Sequence, residues 1–148
     1  METLLKIKRL HPNAIIPQYQ TDGASGLDLH ACLPEGHGTW TLLAGGRLLI
    51  PTGLAIEVSE GYEAQIRPRS GLAHKSGVMA AFGTIDCDYR GEISANLFNC
   101  SFTGYHVKHG ERIAQLVIAP VVRATIQQVD ELSTTERGSG GFGHSGQF

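Results

Sequence analysis

Two carboxylates, Asp86 and Asp88, flank Cys87 in the segment AAFGTIDCDYRGE, with Tyr89 and Arg90 close behind. Asp86 follows the apolar Ile85, so it is expected to be partly buried, where a carboxylate can draw a proton from water as a general base. Neighbours on a strand point to opposite faces, so Asp86 and Tyr89 border one pocket only if the chain turns after Asp86. Upstream, RPRSGLAHKSG sets Arg67, Arg69 and Ser70 ahead of a short helical turn. Guanidinium, hydroxyl and the N–H groups of a helix start together make a phosphate cradle. Downstream, in GERIAQLVIAP, Gln115 interrupts an apolar run, and a buried amide must find hydrogen-bond partners. The tail STTERGSGGFGHSGQF carries one cation, Arg137, and one ring, Phe142, on a glycine-rich string. That composition suits a flap that orders over a ligand. Each feature alone also has a plain structural reading: an acidic turn, a solvated Arg-Ser turn, a satisfied amide, a loose end.

The elements that must position these residues read as short strands. Alternation or β-rich composition marks Leu4 to Leu10, Leu27 to Ala31, Arg47 to Ile50, Gly53 to Val58 and Tyr62 to Ile66. Pro51 and Ser59-Glu60-Gly61 separate the last three. Glu92 to Phe98, Tyr105 to Val107, Arg112 to Ala119 and Ala124 to Val129 continue the series. Only Gly71 to Gly77 reads as helix, one or two turns long. With 19 glycines spread along the chain for tight turns, the expected fold is all-β, a sandwich or barrel of the jelly-roll kind.

At 148 residues the chain fits one domain with a real core. A barrel over residues 1–132 is expected, followed by a mobile arm over 133–148 that has little to bury. A net charge of −2 provides no basic field for nucleic acid polymers or anionic membranes, yet leaves room for a small anionic ligand. The N-terminal METLLKIKRLHPN sustains no apolar run and does not read as a signal peptide, and no stretch approaches a membrane span. Cys32, Cys87 and Cys100 are odd in number and widely spaced, which points to a reduced, cytoplasmic setting and to three small buried hydrophobes. His106 and His109 have no third ligand near them in sequence, so they do not read as a zinc site.

Five segments, in this order, resemble the five motifs of the trimeric dUTP diphosphatase (dUTPase) family: ASGLDLHA (24–31), RPRSGLAHKSG (67–77), GTIDCDYRGE (83–92), GERIAQLVIAP (110–120) and RGSGGFGHSG (137–146). The resemblance implies a jelly-roll-like β-barrel that assembles as a homotrimer with active sites at subunit interfaces. It implies hydrolysis of dUTP to dUMP and pyrophosphate, lowering dUTP and supplying dUMP for thymidylate synthesis, with Mg²⁺ held mainly by the substrate phosphates and waters. Asp28 is then expected near those waters and Arg69. Arg69, Ser70 and Gly71 hold the triphosphate, Ser70 near the α,β bridge, and Gln115 lies at the phosphate end. Asp86 positions and deprotonates the attacking water and contacts the 3′-OH, and Tyr89 stacks under the deoxyribose. Ala81, Gly83, Thr84, Ile85 and Ser94 fall among the substrate contacts, the base being read by backbone groups of a hairpin around Met79 to Ile85. Arg137, Phe142 and Gly143 belong to an arm from another subunit, Arg137 toward the γ-phosphate and Phe142 over the uracil. Asp88 keeps a structural part.

One departure stands in the third region. Many bacterial members carry a slightly longer stretch with an asparagine that meets the base, where this chain has Met79-Ala80-Ala81-Phe82. Two other readings remain. A dCTP deaminase shares the fold and the cradle, but its catalytic glutamate would fall at Asn96 in ISANLFN, leaving the proton shuttle missing. A non-catalytic nucleotide sensor would be favoured by loss of Asp86, Tyr89 or Arg137, and all three are present.

Overall fold

The computed structural model describes residues 3–36 and 38–141. In chain order these form β1 (Leu5–Arg9), β2 (Leu27–His30), β3 (Thr39–Leu42), β4 (Arg47–Val58), β5 (Tyr62–Arg67), α1 (Ser70–Ser76), β6 (Val78–Ala80), β7 (Gly83–Ile85), β8 (Glu92–Asn99), β9 (Tyr105–Lys108) and β10 (Arg112–Pro120). Two antiparallel four-stranded sheets, ordered β1-β4-β8-β6 and β2-β10-β5-β7, enclose the core, and β3 and β9 form a separate ribbon. The all-β fold expected from the strand pattern is what the chain forms.

Alternation explains which side faces in. Along β8, Ile93, Ala95, Leu97 and Asn99 are buried, while Glu92 and Phe98 face out. Ile93, Ala95 and Leu97 meet Leu27, Leu29, Ile66, Leu116 and Ile85 from the other sheet in one apolar cluster. Each large aliphatic chain removed from water there contributes roughly 1.5–3 kcal/mol before conformational entropy is subtracted. Asn99 is tolerated inside because its amide donates to the carbonyls of Leu42 and Thr103 and accepts from Ser101.

Four sequence-based expectations need correction. Pro51 does not end a strand. β4 runs through it, because the register shifts between Pro51 and Ala55 and Gly53, at φ 69°, absorbs the bulge. A Cβ at Gly53 would stand 2.8 Å from both Ala14 Cβ and Cys32 Sγ, so the bulge also needs the missing side chain. Residues 124–129 form no strand in the single chain. Beyond Pro120 the described chain lies open to solvent, with Val122, Ile126 and Leu132 at 93%, 94% and 86% exposure. Met79 to Ile85 is not a paired hairpin: β6 bonds to β8 in one sheet and β7 to β5 in the other. Ala81 and Phe82 therefore carry the chain round a corner between the sheets. Finally, Cys32 alone is fully buried, where burial and then the Glu92 charge push its thiol pKa up; Cys87 is half-buried and Cys100 exposed. No described helix is long and apolar enough to cross a membrane.

Candidate functional site

The phosphate-type residues gather at one end of the β2-β10-β5 surface. Register alone sets Gln115 of β10 between Asp28 of β2 and Arg67 of β5. Asp28 is buried, and its two carboxylate oxygens are divided between two guanidinium groups: Arg69 Nε donates to Oδ1 at 2.9 Å and Arg112 Nη1 to Oδ2 at 3.2 Å. Arg69 Nη1 also donates to the Arg112 carbonyl at 3.3 Å. The Asp28 carboxylate thus fixes the direction in which two cations face solvent. Gln115 Nε2 donates to the Pro68 carbonyl at 2.9 Å, steadying the link from β5 to α1. Ser70 and Gly71 open α1 and are exposed. Asp28, Arg69, Ser70, Gly71, Arg112 and Gln115 line one cavity of about 380 Å³. Beside it, burial holds the His30 pKa below the usual histidine value, against the pull of the Asp28 charge.

A second cavity, also about 380 Å³, lies between the sheets near β7. Gly83, Thr84, Ile85, Asp86 and Tyr89 line it from one side, Leu49, Ile93 and Ser94 from the other. The turn required after Asp86 exists: Tyr89 N–H donates to the Asp86 carbonyl at 3.1 Å. Arg90 secures that turn by donating to the Cys87 and Tyr89 carbonyls at 2.6 and 2.9 Å. Tyr89 Oη donates to the Glu92 carbonyl at 3.1 Å, laying the ring across Gly91. A Cβ at Gly91 would collide with the phenol, so a side chain there would displace the ring from this position. Ile85 is buried but Asp86 is exposed in the single chain, contrary to the expectation that Asp86 would be partly buried.

The two cavities share no lining residue. Ile85 pairs with Ala64, and one further step of that register sets Asp86 opposite Glu63, with which it lines a further small cavity. Arg69 lies six extended residues farther along, about 20 Å at ~3.3 Å per residue. Reacting atoms must approach within about 3–3.5 Å, with the base no farther than one water away. Asp86 and the Arg69–Ser70 cradle of one chain stand at opposite ends of β5, in separate cavities.

Ala81 borders neither cavity; its N–H donates to the Asn96 carbonyl at 2.7 Å. Arg137 is exposed, and its Nε donates to the Gly140 carbonyl at 2.8 Å within its own turn. Phe142 and Gly143 lie outside the described residues. Sequence reasoning passed over Arg112, whose signal was its register opposite His30 on β2, and Leu49, which reaches the second cavity from the facing sheet.

The dUTPase family model matches residues 12–146. The deoxyuridine 5'-triphosphate nucleotidohydrolase of Nautilia profundicola is 55% identical over 97% of this chain and 99% of its own length. That of Beijerinckia indica is 54% identical over 95% and 89%. Among solved structures, the Staphylococcus bacteriophage 80alpha dUTPase with dUPNHPP superposes with a TM-score of 0.86 at 29% identity, covering 97% of this chain and 98% of that one.

Proposed function

This chain belongs to the dUTPase family, and we propose that it hydrolyses dUTP to dUMP and pyrophosphate at sites shared between copies of the chain. The observation that carries the shared site is the separation of about 20 Å between Asp86 and the Arg69–Ser70 cradle along β5. One copy supplies the nucleoside slot with Asp86 and Tyr89; a neighbour supplies Asp28, Arg69, Ser70, Gly71 and Gln115. The expected assembly is a homotrimer. The arm from 133 onward, bringing Arg137 to the γ-phosphate and Phe142 over the base, closes the site from another copy.

In this reading Asp86 accepts a proton from a water lined up with the α-phosphorus. The water oxygen bonds to phosphorus, the bond to the α,β-bridging oxygen breaks, and pyrophosphate departs with the electron pair. Arg69 and Ser70 meet that developing charge with N–H and O–H donors, and Asp28 holds Arg69 in direction. Tyr89 lies beneath the sugar and leaves no room for a 2′-OH. The corner from Ala81 to Ile85 offers backbone groups to the uracil edge; cytosine would set donor against donor, a mismatch of about 1–3 kcal/mol.

Magnesium belongs to the substrate as a nucleotide complex, where it neutralises phosphate charge. The cradle suits that role, because both Asp28 oxygens already accept from arginines and so meet a metal that brings its own waters and phosphates. Asp28 can face such a metal only through its waters. We place the protein in the cytoplasm, where free thiols such as Cys32, Cys87 and Cys100 stay reduced.

Purified protein with Mg²⁺ should release dUMP and pyrophosphate from dUTP and leave dCTP intact. No dUMP would defeat the enzyme reading, leaving a nucleotide sensor. Ammonia released from dCTP would make the protein a deaminase.

A further inference from the structure

The nucleoside slot has one wall on each sheet: Leu49, Ile93 and Ser94 on one side, Ile66, Gly83, Thr84 and Ile85 on the other. Its width therefore depends on how the β6–β7 corner joins the sheets. On the β6 side the corner is tied by the Ala81 N–H to the Asn96 carbonyl. On the β7 side the β5–β7 ladder begins at Gly83, and beyond it the tie is between side chains. Ile66 pairs with Gly83, so the next step of the same register sets Arg67 opposite Phe82. The Arg67 guanidinium lies over the Phe82 ring, 5.8 Å from its centroid.

That guanidinium is not left to wander. Glu63, Gln65 and Arg67 alternate onto one face of β5. Arg67 donates to Gln65 Oε1 through Nε at 2.9 Å and through Nη2, while Gln65 Nε2 donates to Glu63 Oε1 at 2.5 Å. The amide can satisfy both neighbours in only one orientation, oxygen toward arginine and nitrogen toward carboxylate. The row starts at Glu63, opposite Asp86, and ends on the ring at the corner, so it runs the length of β7 from the general base to the base-reading edge. Phe82 is 62% exposed and has no place in either cavity lining, so packing in the single chain does not account for a ring there.

We propose that Arg67 and Phe82 form a clasp that holds the corner end of β7 against β5 and so fixes the position of the backbone groups by which uracil is separated from cytosine. They are positioning residues, acting through the backbone of Gly83 to Ile85. The proposal rests on the dUTP reading above. An exposed cation–π contact is modest, so Phe82→Ala should raise KM for dUTP by about three- to fivefold with kcat little changed. The dUTP-over-dCTP ratio of kcat/KM should fall by a similar factor. Phe82→Tyr, which keeps the ring, should restore both values; Arg67→Met, which keeps the apolar stem without the cation, should match Phe82→Ala. The double variant should be no worse than either single one.

The parent protein is assayed first, so failure to split dUTP would count against the function and not the clasp. With an active parent, an unchanged KM and discrimination ratio in Phe82→Ala would overturn the clasp. So would equal loss in Phe82→Ala and Phe82→Tyr, or a light-scattering mass showing that Phe82→Ala simply falls apart into single chains. Should Phe82→Ala fail to fold, Arg67→Met and Arg67→Lys carry the same comparison, lysine keeping the charge but not the fork to Gln65.

Discussion

Mixing two dead variants tests the shared site directly. Asp86→Asn removes the base but leaves the cradle; Arg69→Ala removes the cradle but leaves the base. If one chain held both halves, every site in a mixture would carry a defect and activity would stay at background. In the proposed shared site, with Asp86 and Arg69 about 20 Å apart along β5, each site instead draws them from two chains. In an equal, randomly reassembled mixture, a site receives an intact Asp86 half with probability one half and an intact Arg69 half likewise. About a quarter of the sites should therefore be whole, and turnover should recover to about 25% of the parent value per chain. The assay is pyrophosphate release after the two proteins are unfolded together, refolded and compared with each refolded alone. A 3:1 mixture should give about three-sixteenths, which separates random pairing from any residual single-variant activity. Recovery no greater than the sum of the separate proteins would refute the separation argument and return both halves to one chain.

The remaining predictions concern single groups. Asp86→Asn should bind nucleotide nearly as well as the parent while kcat drops by about 10²–10⁴, read by single-turnover assay beside equilibrium binding. Asp28→Asn removes the charge shared by Arg69 and Arg112 and turns one of the two acceptor oxygens into an NH₂ donor facing a cation. Because Arg112 is half-exposed and water can replace part of the contact, the cost is discounted to about 1–3 kcal/mol, seen as a fall in Tm with a rise in KM. Ending the chain at Glu136 should leave the light-scattering mass of the assembly unchanged and remove most turnover; full activity would make the arm passive. Burial, with the Glu111 carboxylate accepting its hydroxyl, pushes Tyr105 up to about 12. A raised folded pKa means its contribution to stability is whole below the ordinary tyrosine value near 10 and is lost as pH climbs through about 12. An ultraviolet tyrosinate titration should show that late step, and Tyr105→Phe should abolish it.

The candidate chemistry was legible because it comes in short local words. RPRSG and GTIDCDYRG keep their members within a few residues, so sequence alone could group Arg69 with Ser70 and Asp86 with Tyr89. What it hid depends on partners distant in the chain. Arg112 meets Asp28 across 84 positions through strand register, and no local pattern marks it. Pro51 reads as a strand break until the bulge at Gly53 shows how pairing resumes. Met79 to Ile85 reads as a hairpin because two short segments close in sequence usually pair together, yet β6 pairs with β8 and β7 with β5. The apolar residues from 122 to 129 do have strand-like composition, but the single chain offers them no neighbour.

The open stretch that bears Val122, Ile126 and Leu132 also sets a concentration scale. Apolar side chains so fully wetted gain free energy by leaving water, and the shared site proposed above requires copies of the chain to associate. Specific activity is then governed by mass action among the chains as well as by substrate. Below the assembly's dissociation constant, halving the protein should cut turnover by more than half, so dilution alone would act as an inhibitor.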